Sequence, residues 1–254
     1  MTDPRVAAVE DNLLSFFAQV AHLPMFRRDD APDVDAMRSD IPFPMFNCVA
    51  GARFGADAGR RTEEVAGSFI EVGLPWMWWV TPSHTSPELE SVLEARGLHR
   101  EEVPGMYADL AASPTVPEVA GLTIEETTDA SAFIDVMQAG FGLPDMVCGP
   151  MTAVMDQFAD AINLIGSVDG RAVACGTAYL TGPTAGLYNI ATVEDARGRG
   201  IGYAVTLALM ESGRRAGAQH AVLHSSEAGR PVYARAGFVE VCPVPQYVWM
   251  PPEN

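Results

Sequence analysis

The run Arg197-Gly198-Arg199-Gly200-Ile201-Gly202 has the residue types of an anion site. Glycines let a backbone approach a phosphate with no Cβ in the way. The segment before it, Ala185 to Val193, reads as a strand, and Gly200 to Ala216 reads as a helix. A helix opening on such a loop aims unpaired N–H groups and the positive end of its dipole at a bound anion. Arg197 and Arg199 add full charges to a chain that has 33 acidic and 16 basic residues and a net charge of −17.

Other chemistries fall away. All 16 basic residues are arginine. A Walker phosphate loop, a pyridoxal Schiff base, a protein-kinase site and a Ser-Lys hydrolase each need a lysine. A dinucleotide fingerprint needs glycine or alanine where Tyr203 or Val205 stands, and the region where its acidic residue belongs reads Gln219-His220-Ala221. There is no H-E-x-x-H and no G-x-S-x-G. Cys48, Cys148, Cys175 and Cys242 are too far apart for a zinc knuckle; they read as buried reduced thiols, and no metal is expected. The acidic balance argues against nucleic acid as a partner and is compatible with a cationic substrate. The start of the chain leads into an acidic, mixed helix, and the longest apolar runs fall short of the ~20 residues that cross a bilayer. A cytoplasmic protein with no membrane partner is the expectation.

The elements around these residues can be placed. Ala111 to Glu118 is small, polar and carries two prolines, as a linker does. It suggests domains at 1–112 and 119–254 with 113–118 between them. Past it, Leu122 to Glu126 reads as a strand. Asp129 caps a helix to about Phe141, with Phe133, Ile134, Met137 and Phe141 on one face. A second helix covers Met151 to Phe158. Ile162–Val168 and Arg171–Leu180 form a hairpin through Asp169-Gly170. His220–Ser225 is a strand, Arg230–Ala236 a helix ended by Gly237, and Phe238–Trp249 one or two strands broken by Pro243 and Pro245. The order β α α β β β α β α β predicts a mixed α/β sheet with an antiparallel centre and helices on both faces.

With these elements around them, the two motifs are similar to those of the GCN5-related N-acetyltransferase (GNAT) family. Arg197 to Gly202 matches the family's R-x-x-G-x-G acetyl-CoA loop, and Tyr233 to Phe238 matches its Y-x-x-x-G-F helix. The resemblance covers residues 119–254. It implies the acyl-CoA N-acyltransferase fold, with a centrally splayed sheet and acetyl-CoA as co-substrate without a metal. The pantetheine arm would bond to Ala191, Thr192 and Val193. The diphosphate would lie on Arg197, Gly198, Arg199, Gly200, Ile201 and Gly202. Ser226 stands where the family often has an asparagine, so its contact to the cofactor would be shorter.

The resemblance implies a transferase in which a primary amine attacks the thioester directly, in a ternary complex, with Tyr233 as general acid. The acceptor is a small-molecule or peptide amine, and acidity slightly favours a cationic one. A non-catalytic acyl-CoA-binding or interaction module is the alternative. No base stands out: Glu194 and Asp195 sit at the loop start, Asn189 cannot act as one, and His224 titrates near neutrality only if it is not a buried core residue. Water-mediated deprotonation is the expectation, and a homodimer is open.

Val92 to Leu98 lines up with Val232 to Phe238, each preceded by a strand and followed by one with a proline and an aromatic residue. Chance or a tandem of related folds explains so short a match. A tandem would make the first half degenerate. Leu93 stands where Tyr233 stands, and counting back from Gly97 places the loop near Ala58 to Thr62, which lacks R-x-x-G-x-G. Such a half would shape the acceptor pocket without binding acetyl-CoA. Trp78-Trp79 reads as a strand buried on both faces or as a ligand-stacking box.

Overall fold

The computed structural model describes residues 3–29, 31–158 and 161–252. In the first half, α1 (Pro4–Ala21) precedes β1 (Arg27–Arg28), β2 (Val34–Arg38), β3 (Cys48–Ala52), α2 (Ala58–Val72), β4 (Trp76–Trp79), α3 (Pro87–Ala95) and β5 (His99–Asp109). In the second half, β6 (Leu122–Glu126), α4 (Ala130–Phe141) and α5 (Asp145–Met155) precede β7 (Ala161–Val168), β8 (Arg171–Thr181), β9 (Thr184–Thr192), α6 (Ile201–Arg215), β10 (His220–His224), α7 (Arg230–Arg235) and β11 (Val239–Trp249). From β1 and from β7 onward the order is the same, β β β α β α β.

Two compact units interleave along the chain. One holds Met1–Asn12 and Gly105–Val241, the other Leu13–Pro104 and Cys242–Asn254. In the carboxy-terminal unit the strand order is β5-β10-β9-β8-β7-β6. The pairing is antiparallel from β6 to β9, parallel between β9 and β10, and antiparallel between β10 and the end of β5. In the amino-terminal unit the order is β1-β2-β3-β4-β11, again antiparallel, antiparallel, parallel, antiparallel. The repeat suspected from Val92–Leu98 is thus carried by whole elements. Each unit's last strand comes from the opposite half of the sequence. The segment 113–118 lies in the carboxy-terminal unit.

Local chemistry sets most boundaries. Asp169 and Gly170 take left-handed backbone, φ +51° and +79°, the two-residue turn that matches strand twist. Asp129 caps α4 by accepting from the Ala132 amide at 3.0 Å, and left-handed Gly142 ends that helix. The expected helix over Met151–Phe158 instead runs from Asp145 to Met155. Pro144, with its fixed φ, forms its N-cap, and Pro150 lies inside it, where a helix is normally disfavoured. Phe158 is buried beyond its end, against Tyr179. The final segment is one strand despite Pro243 and Pro245.

The carboxy-terminal core joins Phe133, Ile134 and Met137 of α4 to Ile201, Val205 and Leu209 of α6 across the sheet. Gly176 of β8 faces Leu209, whereas Ala191, register partner of neighbouring Cys175, faces Gly140 of α4. Adjacent strand residues point to opposite faces, so α4 and α6 cover opposite sides. Phe141 departs from the expected buried face and is 51% exposed. In the amino-terminal unit Trp76 and Trp78 are fully buried, with Trp76 stacked on Phe69 at 4.8 Å and Trp78 edge-on to Phe54. All four residues of β4 are buried, so Trp78-Trp79 belongs to the core and is not a ligand box.

The middle of α1 is fastened to β8 and β9 by one buried amide. Asn12 donates to Thr181 Oγ1 at 2.7 Å and to the Tyr179 carbonyl at 3.3 Å, and it accepts from the Tyr188 hydroxyl at 2.7 Å. Asn12→Ala strands buried polar partners, at a cost of about 2 kcal/mol. The midpoint in a thermal scan should fall by roughly 4–8 °C; an unchanged midpoint would show that the amide carries no load.

Candidate functional site

The site begins where two parallel strands part. β9 and β10 pair only through Thr184–Gly186 and His220–Val222, although β9 runs on to Thr192. Beyond that point β9 carries a bulge. Cys175 pairs with Ala191 and Thr177 with Tyr188, so Asn189 and Ile190 oppose Gly176 alone. Such an insertion bends a strand. Asn189 absorbs the bend with φ +56°, a region that asparagine tolerates better than most residues. Its amide donates to Thr177 Oγ1 at 3.3 Å, and Thr177 donates to Asn163 Oδ1 at 2.7 Å. The Asn189 carbonyl accepts from Cys175 Sγ at 3.5 Å.

The loop after β9 supplies the second wall. Gly198 and Gly200 both lie in left-handed backbone, at φ +74° and +82°. Gly200 is the N-cap of α6 and offers no side-chain cap. The first helical bond runs from the Ala204 amide to the Gly200 carbonyl at 3.0 Å, so the amides of Ile201, Gly202 and Tyr203 have no helical acceptor. The last turn of α6 carries Arg214 and Arg215, which complement the helix dipole, and its first turn carries no acid to occupy the positive end. These groups open on a cleft of about 670 Å³ bounded by β9, α4, α6 and α7.

The cleft wall includes Ala191, Thr192, Arg197, Gly198, Gly200, Ile201, Gly202, Ser226 and Tyr233. Two expected residues are not in it. Val193 turns its amide to the Val173 carbonyl at 2.9 Å, toward β8, and Arg199 is exposed outside the wall. Arg197 is present and anchored: Nε donates to the Thr192 carbonyl at 3.1 Å and Nη2 to the Gly140 carbonyl at 2.7 Å. Its guanidinium clamps the end of β9 to the end of α4. Ser226 Oγ accepts from the Gly229 amide at 3.2 Å and so braces the start of α7.

Tyr233 is half-buried on α7, edge-on to Phe238 at 6.1 Å, and burial pushes its phenol up to about 12. Gly229 makes room for that ring, since a Cβ there would lie 2.6 Å from Tyr233 Cε2. Sequence reasoning missed Gly140, Phe141, Tyr203 and Arg235, which also line the cleft. Arg235 lies inside the tyrosine motif, and Tyr203 directly follows the glycine loop. Those positions were the available signal.

The candidate bases fare differently. Burial pulls His224, the last residue of β10, down to about 4, so it is neutral at neutral pH and does not titrate there. Asp195 is exposed and paired with Arg171 at 2.6 Å, and Glu194 is exposed as well. Among the described residues of the wall there is no carboxylate or imidazole. Of the cysteines, Cys48 and Cys175 are buried, and burial pushes the Cys175 thiol up to about 12. Cys148 and Cys242 are half-buried, contrary to expectation. No metal-holding cluster occurs among the described residues.

The amino-terminal unit has the same elements but a different loop. The residues after β3 are Arg53 to Asp57, whereas Ala58 to Thr62, the segment expected from spacing, form the start of α2. Arg53 is paired with Asp35 at 2.6 Å, Phe54 packs on Trp78, and Asp57 puts an acid at the N-cap of α2. Leu93 is fully buried in the helix that corresponds to α7. None of these residues makes an anion cradle.

Known proteins share these features of fold and sequence. Residues 144–238 match the family model described as Acetyltransferase (GNAT) family. A GCN5-related N-acetyltransferase from Kribbella flavida is similar in structure, with a TM-score of 0.70 and 17% identity over 97% of this chain and 96% of that one. A tandem GNAT protein from the clavulanic acid biosynthesis pathway aligns with a TM-score of 0.63 and 16% identity over 99% of this chain and 96% of that one. A functionally unknown conserved protein from Staphylococcus epidermidis gives a TM-score of 0.66 and 12% identity over 91% of this chain and 96% of its own. The fold is thus the acyl-CoA N-acyltransferase fold in tandem. A comparison with curated proteins finds no match. Among the described residues no helix is long and apolar enough to cross a membrane.

Two outcomes follow from this geometry. A Cβ on Gly200 would meet only Val119 Cγ2 at 4.0 Å, so Gly200→Ala is penalised by backbone conformation and not by space. It should cost about 1–2 kcal/mol in chemical denaturation, and Gly200→Asn should cost less; equal stability of all three proteins would contradict the left-handed cap. His224, with its pKa depressed in the fold, contributes stability that is complete above about 6.5 and is lost as pH falls through about 4. The loss is on the order of 3 kcal/mol, and His224→Phe should flatten the thermal midpoint across that window.

Proposed function

We propose that the protein is an acetyl-CoA-dependent N-acetyltransferase with one active cleft per chain, in the carboxy-terminal unit. One observation carries the reading. The uncapped amides of Ile201, Gly202 and Tyr203, behind left-handed Gly198 and Gly200, open on the same cleft as the Tyr233 phenol. The amides and the helix dipole hold the diphosphate of acetyl-CoA. The edge of β9 from Ile190 to Thr192, which β10 does not pair and where Arg197 takes the Thr192 carbonyl, receives the pantetheine arm, which brings the thioester toward α7.

A neutral primary amine attacks the thioester carbonyl, forming the C–N bond and a tetrahedral oxyanion. The nitrogen of this adduct gives up a proton to water, and collapse then breaks the C–S bond and releases a thiolate. Tyr233 donates its proton to that sulfur and is reprotonated from solvent. A phenol pushed up to about 12 is fully protonated at neutral pH, as a donor must be. The burial that raises the phenol also raises the proton affinity of a thiolate formed beside it, so the transfer is less uphill than the phenol's pKa alone suggests. With no carboxylate or imidazole in the wall, the amine loses its proton to water. A cationic acceptor suits a chain of net charge −17. The cytoplasm suits four free cysteines. A homodimer is compatible with this scheme and is not required by it.

The missing base favours a second reading, an acyl-CoA-binding module without turnover. Thiol release measured across amines, polyamines, amino acids and peptides separates the two. Tyr233→Phe should lower kcat by roughly 10²-fold or more while leaving the KM for acetyl-CoA within a few-fold. An unchanged kcat removes Tyr233 as the acid. Titration calorimetry should give one acetyl-CoA per chain; two would restore a site to the amino-terminal unit.

A further inference from the structure

Two arginines line the wall of the cleft, Arg197 and Arg235. Arg197 has Nε and Nη2 on the Thr192 and Gly140 carbonyls. A guanidinium held by two backbone carbonyls cannot turn its fork to an incoming phosphate without releasing the ends of β9 and α4. Arg235 is differently placed. Its guanidinium carbon lies 4.2 Å from the centroid of the Tyr203 ring. No carboxylate pairs with it among the described residues, and it is exposed on the cleft side of α7.

Stacking on an aromatic face fixes the plane of a guanidinium and leaves its N–H edge free, which is the geometry for bidentate phosphate binding. The platform matters as much as the cation. Tyr203 belongs to the first turn of α6, and its own amide is one of the three without a helical acceptor. The ring therefore ties the charge of Arg235 to the backbone that cradles an anion. In a chain of net charge −17 the partial charges of amides and a dipole work against a negative field, and a full cation at that spot counters it.

We propose that Arg235, seated on Tyr203, is the arginine that binds phosphate in this cleft, and that Arg197 is a positioning residue for the cleft walls. The inference rests on the acetyl-CoA reading and assigns the charged contact within it. The phosphate is either the diphosphate or the 3′-phosphate on the ribose of the same ligand; both offer paired anionic oxygens to a guanidinium.

Calorimetric titration of the full chain with CoA, dephospho-CoA and 4′-phosphopantetheine tests it. Arg235→Gln should weaken CoA about tenfold, and Arg235→Lys, which keeps charge but loses the planar stack, should fall between the two. Equal losses for CoA and dephospho-CoA place Arg235 on the diphosphate. A loss confined to CoA places it on the 3′-phosphate. Arg215→Gln, at the far end of α6, is the control for bulk charge and should bind CoA within twofold of wild type. If Arg235→Gln proves unstable, Tyr203→Leu removes the platform and should also weaken CoA several-fold. CoA binding within twofold of wild type in a folded Arg235→Gln protein overturns the assignment, as does an equal loss in Arg215→Gln. A wild-type chain that binds none of the three ligands overturns the acetyl-CoA reading itself.

Discussion

The parting of β9 from β10 is the constraint on which the site depends. Parallel strands normally pair along their shared length, and a gap between them exposes backbone groups that need other partners. Here the gap is held open from both sides. The bulge at Asn189 and Ile190 bends β9, and the chain of hydrogen bonds from Asn189 through Thr177 to Asn163 fixes the bend. At the far end, the Arg197 guanidinium takes up the Thr192 carbonyl and joins it to α4. A cleft kept open by polar contacts within the walls presents backbone to a ligand without having to unfold a sheet.

The two units show how the same order of elements is used once for a site and once for packing. Both run β β β α β α β with the same alternation of antiparallel and parallel pairing. In the carboxy-terminal unit the loop before α6 is built from left-handed glycines, whereas in the amino-terminal unit Arg53, Phe54 and Asp57 occupy the loop and Trp78 fills the space beneath it. There the counterpart of β10, β4, is buried residue by residue, with Trp76 and Trp78 packed into the core.

Much of the fold was legible because its signals are local. The Asp169-Gly170 turn, the Asp129 cap and the Gly237 stop each act within a few residues, and all stand where the residue types put them. The helix over Asp145–Met155 was misplaced because Pro150 is a strong local signal that the surroundings override. Nor does the sequence disclose that β5 ends beside β10 while β11 ends beside β4, since an exchange of last strands leaves the order of elements unchanged. The glycine loop and Tyr233 were legible as a motif. What individual side chains do was less so: a sequence cannot show that Arg197 turns back to two carbonyls, or that burial takes His224 away from neutral titration.

The contrast between Arg197 and Arg235 illustrates why a motif residue and a ligand contact need not coincide. An arginine at the head of a glycine loop solves a structural problem first, because a loop with two left-handed residues and no side-chain cap has carbonyls and strand ends that need fastening. A planar group with several N–H donors suits that task, and with Nε and Nη2 engaged the charge remains but its direction is fixed. The cation that can still turn toward a ligand must then come from elsewhere on the wall, and α7 is the element that faces the loop across the cleft. Tyr233 and Arg235 sit two residues apart on that short helix, so one element can serve both the reacting end and the charged end of an extended ligand.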